Sequence, residues 1–148
     1  MAWWENLGMG QRLARATLVL ANATTPIFTI TGGRILLTAI FGQITTLIGG
    51  AAAYRLQHDP LVGTGTTANL CANTDINAYP VGDQLGITGV PTDALLPAAA
   101  AGAVPGMTMP VELPPGDIEV VCATAPGGAV LWTIWFKTLD SGARVVAA

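Results

Sequence analysis

The chain has 148 residues, of which 51 % are hydrophobic and 10 % charged, and its net charge is −3. That length fits one domain with a real core, but the charge content is far below the usual share of about a quarter. The basic residues Arg12, Arg15, Arg34, Arg55, Lys137 and Arg144 never cluster, which removes the concentrated basic patch that nucleic-acid binding needs.

Residues 1–13 read as an N-terminal arm. Trp3 and Trp4 stand side by side, and Gly8 and Gly10 oppose a stable helix. Either the arm packs back on its own domain, or it docks into a neighbouring subunit with the tryptophans as anchors. The opening Met1-Ala2-Trp3-Trp4-Glu5 lacks the pattern of a signal peptide.

Residues 15–21 alternate, with Ala16, Leu18 and Leu20 on one face, as a half-buried strand does. Asn22-Ala23-Thr24-Thr25-Pro26 reads as a turn or loop. Residues 27–31 form a strand with Phe28 and Ile30 on one side, and Gly32-Gly33 is a hairpin candidate because both positions tolerate positive φ. Residues 35–54 carry no charge and are long enough for a membrane helix. Their threonines, glycines and β-branched residues instead predict two strands, 35–41 and 44–48, joined near Phe41-Gly42-Gln43.

Residues 51–57 put Ala52, Tyr54 and Leu56 on one face, and His58-Asp59-Pro60 ends the strand. A Gly/Thr-rich hairpin end at 62–67 leads to a strand at 67–72. Residues 73–77 have the side-chain-to-backbone bonding capacity of a turn, and 85–88 form a short strand. Residues 89–106, with three prolines and an alanine run, read as one long loop projecting from an end of the fold. Such loops are often functional, and Leu95 and Leu96 are its candidate contact residues.

Residues 108–148 read as an antiparallel meander, cut by Pro114-Pro115-Gly116-Asp117 and by Ala125-Pro126-Gly127-Gly128. Val130, Trp132, Ile134 and Phe136 share one face of the last long strand. Leu131, Thr133, Trp135 and Lys137 share the other. Leu131 and Trp135 would not face water, so the strand is either central and covered on both sides or meets another subunit. About ten short strands with almost no helix predict an all-β fold, an antiparallel β-sandwich or jelly roll at residues 14–148.

Chemistry is sparse. His58 and Asp59 are adjacent, so on a strand they point to opposite faces and form no dyad. The chain has two cysteines, Cys71 and Cys122, and one histidine. It has no CxxC, so no zinc site is expected. The alternation places Cys122 on a core face and Cys71 opposite Leu70, which favours two buried reduced thiols over a disulfide. Asp75-Ile76-Asn77 is too short and irregular for a calcium loop. No nucleophile elbow, P-loop or dinucleotide fingerprint occurs. No enzyme activity, cofactor or metal is expected.

The run ATTPIFTITGGRILLTAIFGQITTLI at 23–48 and the closing LPPGDIEVVCATAPGGAVLWTIWFKTLDSGARVVAA resemble small structural proteins of tailed-bacteriophage virions. The likeness rests on pattern: a Pro/Gly turn before a strand, a Gly-rich turn before a Trp-bearing strand, and a GARVVAA-like tail. It implies a capsid cement or decoration protein on the head surface, a homo-oligomer, favoured as a trimer, touching the major capsid protein or another virion protein. From the scattered basic residues and the make-up of residues 35–54, no nucleic-acid and no membrane partner is expected. The competing readings are a tail, neck or fibre component, and a glycan-binding sandwich that uses Trp135. The candidate contacts are Trp3, Trp4, Leu95, Leu96, Leu131 and Trp135.

Overall fold

The computed structural model describes residues 8–148, so Trp3 and Trp4 lie outside the described part. Two antiparallel sheets pack together in a sandwich-like all-β architecture, and no helix occurs among the described residues. The first sheet is centred on β4 (Ile35–Thr46) and β11 (Ala129–Thr138). Beyond β11 lie β1 (Gln11–Ala14) and β2 (Leu18–Val19), and beyond β4 lie β8 (Gln84–Gly86) and β9 (Val111–Leu113). The second sheet runs β12 (Arg144–Ala147), β3 (Ala23–Thr31), β10 (Gly116–Cys122), β5 (Ala53–Pro60), with β6 (Ala68–Asn69) and β7 (Thr74–Asp75) on the far side of β5. No helix among the described residues is long and apolar enough to cross a membrane.

The alternation locates the core. Val130, Trp132, Ile134 and Phe136 of β11 are buried, as are Phe28 and Ile30 of β3, Tyr54 and Leu56 of β5, and Ile118, Val120 and Cys122 of β10. The hairpin end at 62–67 does join two paired strands, with Gln57 opposite Asn69. Asp75 makes the expected local bonds, accepting from the backbone N–H groups of Ala52 and Asn77.

Pairing differs from the expectation at four places. The closing segment is not a meander, because β9, β10, β11 and β12 alternate between the sheets and no consecutive two pair. Gly32-Gly33 is likewise not a hairpin but a crossing from β3 in one sheet to β4 in the other. A turn signal reports where the chain bends, and either sheet can accept the apolar face of the strand that follows. A Cβ on Gly32, whose φ is +78°, would collide with the carbonyl of Gly142. The β3–β4 and β11–β12 crossings therefore lie side by side.

Residues 35–41 and 44–48 are not two strands. One strand, β4, runs from Ile35 to Thr46 through Gly42, which pairs with Trp132. A Cβ on Gly42 would lie 2.8–3.0 Å from Val130 Cγ1 and the Trp132 six-membered ring. Gly42 is thus a close-approach glycine inside a strand. The expected turn at 22–26 is also strand, since β3 begins at Ala23. Pro26 sits beside a bulge: Phe28 opposes Ile118, Pro26 opposes Glu119, and Ile27 is the extra residue. Bulges are where a sheet tolerates proline.

Smaller differences concern extent. The strand expected at 15–21 is reduced to β2, the one at 67–72 to β6, and the one at 85–88 is β8. His58, Asp59 and Pro60 are the last residues of β5 rather than a turn after it. Residues 11–13 of the expected arm enter the first sheet as β1, with Arg12 opposite Trp135.

Trp132 occupies the middle of the sandwich. Its indole stacks on Tyr54 of the facing sheet, with ring centroids 6.3 Å apart and planes at 26°. The Tyr54 hydroxyl and the Trp132 indole N–H are both buried, and among the described residues neither makes a well-formed hydrogen bond, the nearest to one being their weak approach to each other. Burial pushes the Tyr54 phenol well above its ordinary pKa, and the neighbouring Trp132 opposes that shift only in part. An unpaired buried hydroxyl costs about 1–3 kcal/mol, and its removal with retention of the ring spares that cost. Tyr54→Phe is therefore expected to keep or raise the unfolding free energy, by up to about 1 kcal/mol. A lowered urea midpoint at unchanged slope would contradict this.

At the edge, Arg34 ties the β11–β12 crossing to β9. Its guanidinium reaches Asp140 at 2.8 Å and Glu112 at 2.9 Å. Those hydrogen bonds hold the Asp140 carboxyl at about 2, below its ordinary 3.8. A depressed carboxylate stabilises the fold fully above 3.8 and loses that contribution as pH falls toward about 2. Asp140→Asn should flatten the acid loss of urea stability within that window. The effect is modest because the pair is exposed.

Candidate functional site: the outer face of the first sheet

The two outer faces of the sandwich differ in chemistry. On the second sheet, side chains that point away from the core bond one another. Thr29 Oγ1 donates to Asp117 at 2.6 Å, Gln57 Nε2 to Glu119 Oε2 at 2.7 Å, and Arg55 Nη2 to Gln57 Oε1 at 3.4 Å. Such a face needs no further cover.

The first sheet turns Leu131, Thr133 and Trp135 of β11 outward, as the alternation predicts, and each is half-buried. Phe41 of β4 pairs with Thr133 and meets Trp135 edge-on, with centroids 5.9 Å apart and planes at 77°. Arg12 of β1 places its guanidinium 5.9 Å from the Trp135 ring centre, within cation–π range. Together with Gln43 and Gln84 these residues line a depression of about 230 Å³. Arg12 is the sole charged group of that lining among the described residues. The Trp135 indole N–H is enclosed without a partner among the described residues.

β11 is central in its sheet, between β1 and β4, so one expected alternative is met in part. Among the described residues, cover of its outer face is incomplete. The later part of the 89–106 loop lies against β8 and reaches Phe41 of β4. A Cβ on Gly86 would touch Val104 at 3.2 Å, and one on Gly106 would touch Phe41 at 3.7 Å.

The loop itself does not project. Leu96 exchanges backbone hydrogen bonds with Gly86 at 2.8 and 3.0 Å, and Gln84 N donates to Ala101 O at 3.0 Å. Leu95 is fully buried in the protein's own core. It has no surface to offer a partner, and its place among the contact candidates is withdrawn. Leu96 is half-buried beside it. The alanine run and prolines concealed this, because a loop without periodicity gives no sign of which side chain turns inward.

Of the sequence candidates, Leu131 and Trp135 come together on one surface, Leu96 does not join them, and Trp3 and Trp4 fall outside the described residues. Arg12, Phe41, Gln43 and Gln84 were missed. Reading Gly42 as a turn hid that Phe41 and Gln43 alternate on the same face as Leu131 and Trp135.

The titratable groups assemble no chemistry on this face. Among the described residues no group of three or more His, Cys, Asp or Glu is placed to hold a metal ion. His58 is buried, with Nε2 3.0 Å from the Pro114 carbonyl, while Asp59 lies on the opposite side of β5. Both cysteines are buried and free. Burial pushes the Cys71 thiol up to about 11, so it stays protonated at neutral pH. Compared with protein-family models, with curated proteins and with solved structures, the chain matches none.

Proposed function

We propose that this chain is a structural subunit of a tailed-bacteriophage virion. In this reading it is a homo-oligomeric cement or decoration protein, favoured as a trimer, that sits on the head surface against the major capsid protein. The observation that carries the reading is the outer face of the first sheet. Aromatic and aliphatic side chains there flank one arginine, with no acid or lysine of the described residues in the depression, and Trp, Tyr and Arg are the residues that dominate interface energetics. Sparse charge supports it too, since a chain with 10 % charged residues gains by covering surface against partners. A shell under internal pressure is strengthened by area buried across its seams, and that role asks for no reacting groups. The passage of β3, β4, β5 and again of β10, β11, β12 from sheet to sheet supports a jelly-roll winding, of the kind capsid domains use.

Native mass spectrometry and imaging of a particle carrying the protein test this reading. A trimer seated at a local threefold axis on the head is the expected result. A monomer at high concentration that fails to co-sediment with heads would overturn it, and density on the tail, neck or fibre would move the protein there. A glycan-binding reading is favoured by one feature, the Trp135 edge beside Gln43 and Gln84 in a depression of about 230 Å³. A glycan-array signal abolished by Trp135→Ala would replace the virion reading.

A further inference from the structure

A second cavity lies at the β9 edge of the first sheet and shares no lining residue with the Trp135 depression. It holds about 260 Å³ between β5–β6 of the second sheet and β9 of the first. Its walls are mostly apolar, with Pro60, Leu70, Val111, Leu113 and Pro114 among them. Asn69 and Glu112 are lining residues exposed to solvent, which places the mouth beside them. Glu112 is turned toward Arg34, at 2.9 Å. The volume would take several waters, but a buried water needs two to four polar partners, and apolar cavities of about 150 Å³ already admit benzene.

One polar group breaks the apolar wall. His58 lines the cavity and is 3 % exposed. Its Nε2 lies 3.0 Å from the Pro114 carbonyl, which can only accept, so Nε2 carries the hydrogen and donates. Burial lowers the His58 pKa, so the ring is neutral near pH 7, with the Pro114 carbonyl, Asp59 and Asp117 opposing the shift. A neutral ring with its hydrogen on Nε2 leaves a lone pair on Nδ1. Among the described residues, Nδ1 receives no hydrogen bond. The cavity therefore sets an apolar space sized for one substituted aromatic ring against an imidazole whose Nδ1 is engaged by no group of the described residues.

We propose that this cavity binds a phenol-type group, with the ring against Leu70, Val111 and Leu113 and the hydroxyl donating to His58 Nδ1. The tautomer sets the selectivity. An acceptor-only ligand would face a lone pair, and a plain hydrocarbon would leave Nδ1 buried and unpaired. The site is separate from the Trp135 face and does not depend on oligomeric state.

The test is a titration of the full chain with p-cresol and with toluene, followed by calorimetry and by the His58 ring signals in NMR. The expected result is saturable p-cresol binding that moves the Nδ1 resonance, with toluene at least about tenfold weaker. His58→Phe should abolish the preference for the phenol. The p-cresol/toluene comparison in the unaltered chain holds even if that variant folds poorly. N-acetyltyrosinamide then separates the sources. Binding equal to p-cresol points to a tyrosine side chain of a partner protein, and exclusion points to a free small phenol. Failure of p-cresol to bind, or equal binding of toluene, overturns the proposal.

Discussion

Trp132→Ala should cost about 3–5 kcal/mol of unfolding free energy, the range for truncating a buried aromatic. For a domain of this size that is a fall in Tm on the order of 10 °C. The indole is fully buried, lies over the Gly42 backbone of its own sheet and stacks on Tyr54 of the other. Its removal therefore opens a void that touches both layers, and neither sheet can close it without moving a central strand. The companion variant is Gly42→Ala. Alanine recovers about 0.5–1 kcal/mol of strand propensity over glycine, but its Cβ would stand 2.8–3.0 Å from Val130 and Trp132. Overpacking costs about 1–3 kcal/mol, and the indole cannot swing aside with Tyr54 behind it, so the clash wins and the variant is destabilised. The diagnostic is the pair. In Trp132→Leu the added methyl at position 42 enters space the indole has vacated, so Gly42→Ala should become neutral or stabilising there. The two substitutions should couple by about 0.5–3 kcal/mol in a urea double-mutant cycle. Strict additivity would mean that Gly42 is present for some reason other than the indole.

That pair also shows what was legible in the chain and what was not. Burial was legible, because alternation is a property of each strand alone. Trp132, Ile134, Phe136, Tyr54, Leu56, Ile118 and Val120 are all inside, where their neighbours' polarity places them. Pairing was not, because it depends on residues far apart in sequence. β4 is held by β11, and β3 by β10, across most of the chain. Gly42 misled for that reason. A glycine between two apolar runs looks like a turn until the tryptophan that requires it, ninety positions away, is seen to pack on it. The site suffered the same fate in part. Leu131 and Trp135 were visible as surplus apolar residues on one strand. Phe41, Gln43 and Arg12 join them only through sheet neighbours. Leu95 shows the converse, since a loop lacks the period that would have marked it as core.

Leu131→Asp and Trp135→Ala should each weaken assembly by roughly 30-fold or more, the effect of losing about 2 kcal/mol or more at an interface hot spot. The two act by different routes. An aspartate at 131 puts a charge into a depression lined by Phe41, Gln43 and Trp135, where closure by a partner would strip its water. Alanine at 135 removes the ring that Phe41 meets edge-on and Arg12 caps. That second variant also loses about 1–2 kcal/mol of fold stability, because both contacts lie within one chain. Tm must therefore be read beside assembly. Leu131→Asp is the cleaner probe, since its side chain is outward on β11 and outside the core cluster. Thr29→Ala on the second sheet serves as the control. It breaks the 2.6 Å bond to Asp117 on the polar outer face and should leave assembly unchanged. The contrast between faces is the substance of the prediction. Loss of assembly with Leu131→Asp and retention with Thr29→Ala assigns the contact to the first sheet. The reverse pattern assigns it to the second. Assembly that survives Leu131→Asp and Trp135→Ala at wild-type strength removes this face from the protein's function, and with it the observation on which the virion reading rests.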